Sequence, residues 1–222
     1  MITRREFVAG STAKIFMGVA LTGTALSALD WNFIGTAHAQ NPSMADIAVA
    51  GPLGDEVMGK ADAPVTIVEY ASMTCGHCAT FHTKTYPVLK SRYIDTGKVK
   101  YIMREFPLDP LAAAGFMLAR CAGKDKYYPM IEVLFQKQNE WAVQQPIPPL
   151  TAIAKQAGFT QEKFEACLSD QKILDGIEAT RARGSEKLGV NSTPTFFVNG
   201  KVMRGAVSIE DLEKEILPLL KS

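Results

Sequence analysis

The feature that most constrains the fold is a pair of cysteines, Cys75 and Cys78, that follows a short apolar segment. That segment, Val65–Tyr70, is rich in β-branched residues and predicts a buried strand. Apolar side chains then recur at helical spacing, so a helix is expected to begin at the first cysteine. A helix N-terminus offers unpaired N–H groups and a partial positive charge, which stabilise a thiolate, the reactive form of cysteine. The spacing also places the second thiol about one turn later, where the pair can close a disulfide.

A zinc site is the alternative interpretation of the Cys-x-x-Cys motif, because zinc is held by cysteines at this spacing. Two further ligands would be needed, and His82 is the nearest candidate. No second Cys-x-x-Cys exists, and the two other cysteines, Cys121 and Cys167, are distant and lie in predicted helices. The strand-then-helix setting therefore favours redox chemistry that uses neither a metal nor a cofactor.

In the redox interpretation the residues of the motif have different roles. Cys75, at the helix start, is expected to be the exposed attacking thiolate, and Cys78 is expected to resolve or complete the disulfide. A positive or hydrogen-bonding imidazole at His77 would lower the thiol pKa and favour the reduced form, which makes the disulfide more oxidising. Alternatively, His77 is an exposed spacer. Gly76 removes side-chain bulk beside the disulfide.

Residues 1–39 have the pattern of an export signal. The basic start Arg4-Arg5, followed by Phe7, is similar to a bacterial twin-arginine signal, although basic pairs also occur in ordinary secretory signals. A Gly/Ala-rich apolar stretch leads to Ala37-His38-Ala39, a small-x-small cleavage site that would leave Gln40 as the mature N-terminus. An uncleaved anchor is the alternative, but the apolar run is shorter than a membrane span requires. Either export route places the mature protein where disulfides persist.

Composition excludes several classes of function. The chain of 222 residues carries a net charge of +1, and it has no basic run that would suggest nucleic-acid binding. Residues 1–39 hold three basic and two acidic side chains of the total 24 and 23, so the predicted mature chain is formally neutral. Four cysteines are too few for a disulfide-packed scaffold.

The pattern of elements predicts an α/β fold whose two halves are separated in the sequence. Residues 65–106 read as strand, helix, strand, and residues 191–222 as two strands and a helix, with Asn199-Gly200 as a hairpin turn. Between them, residues 107–190 are helical throughout and predict an inserted helical domain. Residues 40–64 read as a flexible lead-in with little pattern, in which Ile47–Val49 could add a short edge strand.

The Thr193-Pro194 step precedes the strand Thr195–Val198. A proline can simply open a strand, where its missing N–H costs little. A sharper interpretation is a cis peptide bond, because cis is accessible only before proline. The backbone there could then pair with an extended substrate segment in β fashion.

Together, the Cys-Gly-His-Cys motif, the Thr193-Pro194 step and the helical insertion resemble the thioredoxin superfamily, and within it the DsbA-like periplasmic thiol:disulfide oxidoreductases. The resemblance covers about residues 65–222. It implies a thioredoxin fold with a mixed central sheet and an inserted helical domain, and mixed disulfides between Cys75 and newly exported cysteine-containing proteins. It implies that Thr193 and Pro194 face the dithiol. It further implies a monomer that is reoxidised by a quinone-linked membrane partner.

Glu69, six residues before Cys75, matches the buried acidic position of this family, which relays protons near Cys78. The alternative is a cross-strand charge at the sheet edge. A glutamate within an apolar strand is costly unless it has a partner or a purpose.

Gly76 departs from the resemblance, because the best-known DsbA enzymes carry proline there. Cys-Gly-His-Cys is the motif of protein disulfide isomerases, whose potentials lie at about −180 mV, against about −120 mV for strongly oxidising DsbA enzymes. Bacterial isomerases usually add an N-terminal dimerisation domain, and residues 40–64 are too short for one, so oxidation is favoured over isomerisation or a dedicated reductant. A metal-binding or chaperone-like module without turnover is the alternative from another class.

Cys121 and Cys167 lie beside apolar neighbours on helices of the insertion. They could be buried free thiols that pack as small hydrophobic groups. In an exported protein a structural disulfide is favoured, worth about 2–4 kcal/mol.

Overall fold

A mixed five-stranded sheet forms the centre of the computed structural model, which describes residues 42–221; the predicted signal of residues 1–39 lies outside the described residues. The strands in the described part run in the order β1-β3-β2-β4-β5. Their bounds are β1 (Val57–Met58), β2 (Val65–Ala71), β3 (Val99–Glu105), β4 (Thr195–Val198) and β5 (Lys201–Arg204). Strand β2 is parallel to β3, and the β1–β3, β2–β4 and β4–β5 pairs are antiparallel. This mixed central sheet agrees with the α/β fold expected from the sequence.

Strand β2 lies in the middle of the sheet and is covered on both faces. Val65 and Ile67 point into the larger apolar cluster, whereas Val68 and Tyr70 point into a smaller cluster on the opposite face. This alternation follows the two-residue period of a strand. The same alternation places Glu69 on the face of the larger cluster.

The helix that follows the Cys-x-x-Cys motif is not uniform. It comprises α2 (Gly76–Thr80), a π-helical turn, α3 (Tyr86–Leu89) and a second π-helical turn, and it ends before Gly97, whose φ is +76°. Pro87 lies in the first turn of α3, where the missing N–H breaks the regular hydrogen-bond pattern. The sequence predicts a kink there. In the structure the helix is instead irregular, with one π-helical turn before α3 and one after it.

Six helices lie between β3 and β4 in the described chain: α4 (Pro110–Ala122), α5 (Lys124–Gln136), α6 (Gln138–Trp141), α7 (Ile147–Gln156), α8 (Gln161–Leu168) and α9 (Gln171–Leu188). Their starts follow ordinary capping chemistry. Asp109, Thr160 and Asp170 each accept a hydrogen bond from a backbone N–H in the first turn of α4, α8 and α9. The helical character of residues 107–190 follows directly from these signals.

The C-terminal elements take the predicted form. Asn199 and Gly200 both have positive φ, 42° and 93°, as a tight hairpin turn requires. Asn199 also binds back to strand β2, accepting from the N–H of Thr66 at 2.7 Å. Ser208 caps the last helix, α10 (Ile209–Leu219).

The lead-in before β2 differs from the prediction. Ile47–Val49 does not form an edge strand, because Ser43 caps a short helix, α1 (Met44–Ala48). The remainder of the lead-in is held by distant parts of the chain. Asp55 forms a bidentate ion pair with the buried Arg104 at 2.8 and 2.9 Å, and the backbone carbonyl of Glu56 accepts a hydrogen bond from Tyr128 at 2.7 Å.

Candidate active site

The dithiol lies at the junction of β2 and α2. Cys75 occupies the N-cap position of α2 and is partly exposed, whereas Cys78 lies one turn into the helix and is fully buried, at 0% exposure. Both are free thiols in this structure. The accessible first sulfur and buried second sulfur match the roles expected from the spacing.

The surroundings of Cys75 lower its pKa to about 5. A hydrogen bond from the Cys78 thiol contributes most, and it outweighs the opposing effect of partial burial. The Thr193 side chain and the backbone N–H groups of Cys78 and His77 lower the pKa further. Cys75 is therefore a thiolate at neutral pH, stabilised most by the Cys78 thiol and further by the N–H groups of the helix start.

Cys78 has the opposite electrostatics. Burial raises its pKa far above the ordinary value, and the hydrogen bond that it shares with Cys75 and the negative charge of Glu69 act in the same direction. The buried thiol therefore holds its proton. Two chemically identical side chains in one turn of helix are thus poised in different protonation states.

The Thr193–Pro194 peptide bond is cis and lies against Cys75. When Cys75 is protonated, its thiol donates to the carbonyl oxygen of Thr193 at 3.3 Å. The Thr193 hydroxyl is buried and forms no hydrogen bond of good geometry within residues 42–221. The contact between the Cys75 sulfur and the Thr193 carbonyl is thus the defined interaction of this segment with the dithiol.

Glu69 lies next to this dithiol in the middle of the sheet, at 0% exposure. Its position on the central strand β2 excludes the alternative of a charge at the sheet edge. The Oε2 atom accepts a short hydrogen bond from the Tyr101 hydroxyl and lies 3.0 Å from His82 Nε2. The Oε1 atom has no hydrogen-bond partner among the described residues.

His77 contributes to the site through its backbone. Its N–H lowers the Cys75 pKa, but the side chain is exposed and forms no hydrogen bond to another residue of the described chain. The geometry of His77 is therefore nearer to the exposed-spacer alternative than to an imidazole bound at the sulfur. Gly76 is also exposed, and a Cβ placed there would contact nothing within 4 Å.

Sequence reasoning missed two residues that hold the active-site loop. Gln138, in the insertion, donates from Nε2 to the backbone carbonyls of Met73 at 2.8 Å and Cys75 at 3.1 Å. Asp109 accepts from the hydroxyl of Thr74 at 2.6 Å. No local sequence signal points to Gln138, because its partners are 63 and 65 residues away.

The second cysteine pair lies in the helical insertion. The sulfur atoms of Cys121, on α4, and Cys167, on α8, are joined in a disulfide. Within residues 42–221, no group of three or more His, Cys, Asp or Glu residues is arranged to hold a metal ion. In the same range, no helix is both long and apolar enough to cross a membrane.

A family profile described as "Thioredoxin" matches residues 53–217. The chain belongs to the thioredoxin superfamily, in its DsbA-like branch. The fold and the family expected from the sequence are thereby confirmed.

Solved DsbA-like structures match most of the chain. That of α-DsbA1 from Wolbachia pipientis is 30% identical with a TM-score of 0.74, and the match covers 79% of this chain and 96% of that one. BdbD from Bacillus subtilis in its oxidised form is 26% identical with a TM-score of 0.65, covering 82% and 97%.

Curated relatives include a Rickettsia bellii protein provisionally named a protein-disulfide oxidoreductase. It is 36% identical over 148 residues, 66% of this chain and 57% of the relative. The chain spans 57–65% of the length of this protein and two further Rickettsia relatives of that kind.

Proposed function

We propose that this DsbA-like chain is a thiol:disulfide oxidoreductase that donates the Cys75–Cys78 disulfide to reduced cysteines of other proteins. The contrast between the two thiols carries the proposal. Stabilising the Cys75 thiolate favours the reduced dithiol, and a pair that prefers to be reduced is oxidising as a disulfide.

The reaction begins when a substrate thiolate attacks Sγ of Cys75 in the oxidised protein. The Cys75–Cys78 bond breaks, its electron pair leaves on Cys78 Sγ, and a mixed disulfide joins the substrate to Cys75. A second substrate thiolate then attacks the substrate sulfur of this mixed disulfide and expels Cys75 as a thiolate, whose pKa of about 5 makes it a good leaving group. The substrate leaves oxidised, and the protein is left with a Cys75 thiolate and a Cys78 thiol.

The groups around the sulfurs have distinct roles in this scheme. The backbone at Thr193 and Pro194, against Cys75, would pair with an extended substrate segment. Glu69, whose negative charge acts on Cys78, would exchange the proton that the buried sulfur gains or loses. His77 would act through its backbone N–H and, from its exposed position, on the bound substrate.

The expected location is the periplasm. The export signal would direct the chain there and would be cleaved after Ala39. The expected substrates are newly exported proteins that contain reduced cysteines. Return to the disulfide form would need an oxidising partner, for which a quinone-linked membrane protein is proposed, and the protein would act as a monomer.

A redox titration of the mature protein against glutathione tests the proposal. An oxidase should have a potential far above that of thioredoxin, at about −270 mV, and closer to about −120 mV. A potential near the thioredoxin value would reject the oxidase function.

Disulfide isomerisation is a second candidate, favoured by the isomerase-type dipeptide Gly76-His77. Reactivation of a protein with scrambled disulfides under reducing conditions distinguishes the two, because a pure oxidase reactivates it poorly. A metal-binding or chaperone-like module would differ from both, since it would retain its function after Cys75→Ser.

A further inference from the structure

The buried carboxylate of Glu69 has no direct contact with solvent. It lies on the central strand β2 at 0% exposure, with β3 and β4 on either side. A carboxylate that exchanges a proton with Cys78 in every reaction cycle must itself be recharged from outside. The structure must therefore contain a route between Glu69 and water.

Tyr101 and His82, the two side chains bound to Glu69 Oε2, differ in their access to solvent. Tyr101 is itself fully buried, and burial, followed by the negative charge of Glu69, raises its pKa well above the ordinary value. Its single hydroxyl is already committed to Glu69. Tyr101 therefore holds the carboxylate but offers no exit for a proton.

His82 has a second nitrogen. Its Nε2 is 3.0 Å from Glu69 Oε2, while its Nδ1 is buried and has no partner in the described chain. The ring is stacked on Phe135, with centroids 4.2 Å apart and planes 15° apart, so its orientation is fixed. His82 also lines a cavity of about 270 Å³. A cavity of that size with polar walls has room for several waters, since each occupies about 30 Å³ in the liquid.

We propose that His82 is the proton relay between Glu69 and solvent, an inference that rests on the proposed thiol–disulfide exchange at Cys75 and Cys78. When Cys78 leaves as a thiolate, it takes a proton from the Glu69 carboxyl group. Glu69 regains one from His82 Nε2, and His82 gains one at Nδ1 from cavity water, which reaches this buried nitrogen when the side chains between it and the cavity move apart. When Cys78 attacks a mixed disulfide, the same transfers run outward. An imidazole can do this because it binds a proton at either nitrogen.

The charged and titratable groups around the relay come from several elements. Tyr86 lies against the imidazole, with ring centroids 5.0 Å apart, and it also lines the cavity. Lys90, Asp95 and Glu132 line the remaining walls, and Lys90 is paired with Asp95 at 2.8 Å. The cavity wall thus carries both signs of charge, which suits a water-filled proton route.

The test uses the two steps by which a reduced dithiol reacts with excess Ellman's reagent in stopped flow. First, Cys75 attacks the reagent, releasing one thionitrobenzoate and forming a mixed disulfide. Then Cys78 loses its proton, attacks Cys75 Sγ and expels the second. Only the second step needs the relay. We expect His82→Gln, which can still bind Glu69, to leave the first phase unchanged and slow the second by about 10-fold or more, within the range of general-base effects.

Chemical rescue separates proton transfer from structure. His82→Ala enlarges the cavity, and free imidazole should restore its second phase in a concentration-dependent manner, whereas His82→Gln leaves no space and should not respond. Thr83→Ala is the matched control, because Thr83 neighbours His82 in the sequence, is exposed, and donates its hydroxyl to the Ala79 carbonyl at 2.7 Å. Both of its phases should be unchanged.

An unchanged second phase in His82→Gln overturns the relay, as does an equal slowing of both phases. A slow second phase in folded His82→Ala that imidazole does not restore overturns it too. If His82→Ala does not fold, His82→Gln decides alone by the ratio of its phases. The reagent is not a protein substrate, so these results are independent of whether the chain proves to be an oxidase, which the redox titration decides.

Discussion

The chain contains two cysteine pairs whose surroundings differ in almost every respect. Cys75 and Cys78 are separated by two residues at the start of a helix, where the buried carboxylate of Glu69 acts on Cys78 and the Thr193 carbonyl contacts Cys75. Cys121 and Cys167 are 46 residues apart in two helices of the insertion, and their sulfur atoms are joined among apolar side chains. The comparison shows that reactivity is a property of the position. Free N–H groups at a helix start lower the pKa of one thiol, whereas a disulfide between packed helices mainly limits the unfolded chain.

The most direct way to break this comparison is Cys75→Ser. Without the sulfur that the substrate thiolate attacks, oxidation of a peptide dithiol should fall by at least about 10³-fold, because no mixed disulfide can form. Cys78→Ser should instead attack a disulfide such as oxidised glutathione, retain one half on Cys75 as a stable mixed disulfide visible by mass spectrometry, and release the other half as a thiolate. If Cys75→Ser retained activity, the assignment of the nucleophile would be wrong.

Removing the second pair should affect stability and leave the reaction nearly intact. The Cys121→Ala/Cys167→Ala double variant should lose about 2–4 kcal/mol of unfolding free energy, as chain entropy indicates for a loop of 46 residues. The change is measured by urea denaturation of both proteins under oxidising conditions. The reduction potential of Cys75–Cys78 should not change. If it shifted by a free energy as large as the loss of unfolding free energy, the two cysteine pairs would not be independent.

The pH dependence of stability should distinguish the reduced from the oxidised protein. The Cys75 pKa is about 5 when folded, against about 8.5 for an unfolded cysteine. A lowered folded pKa stabilises the reduced protein above the unfolded value, and this contribution is lost as pH falls from about 8.5 to about 5. The oxidised protein has no such thiol. The stability of the reduced relative to the oxidised form should therefore decline as pH falls between these values, as melting curves of both forms would show.

The smallest effect concerns Gln138, which connects the insertion to the catalytic loop. Gln138→Leu removes two hydrogen bonds to buried carbonyls and should cost about 1–2 kcal/mol, measured by urea denaturation. Gln144→Leu is a matched control, because Gln144 is exposed. If both variants lost the same stability, the amide of Gln138 would not be what holds the loop.

Local signals in the sequence are sufficient for much of this architecture. The β-branched run before Cys75, the Asn199-Gly200 turn and the caps at Thr160 and Ser208 each act within a few residues, so the pattern predicts the strands and helices that they bound. The largest cause of the lowered Cys75 pKa, the hydrogen bond from the Cys78 thiol, also comes from a residue only three positions away.

What the sequence did not predict depends on contacts between distant residues. The lead-in reads as flexible because the residue that holds Asp55 is Arg104, which is buried on strand β3, 49 residues further along the chain. Glu69 is recognisable as an unusual charge, but its partners His82 and Tyr101 are 13 and 32 residues away. The sequence suggests a strand at Ile47–Val49, whereas the structure has the helix α1 there. Three residues are too few to distinguish a two-residue period from a helical one.

The contact between Cys75 and the Thr193 carbonyl joins residues 118 positions apart. During synthesis the chain presents its reactive thiol long before the backbone that will cover it. Strand β4, which follows Thr193, must also pair with β2, although the whole helical insertion separates the two strands in the sequence. Contacts between residues so far apart in sequence form slowly, so the centre of the sheet is expected to fold late. An unfinished chain that ends within the insertion would thus carry both cysteines of the motif without the Thr193 carbonyl that contacts Cys75 in the folded protein.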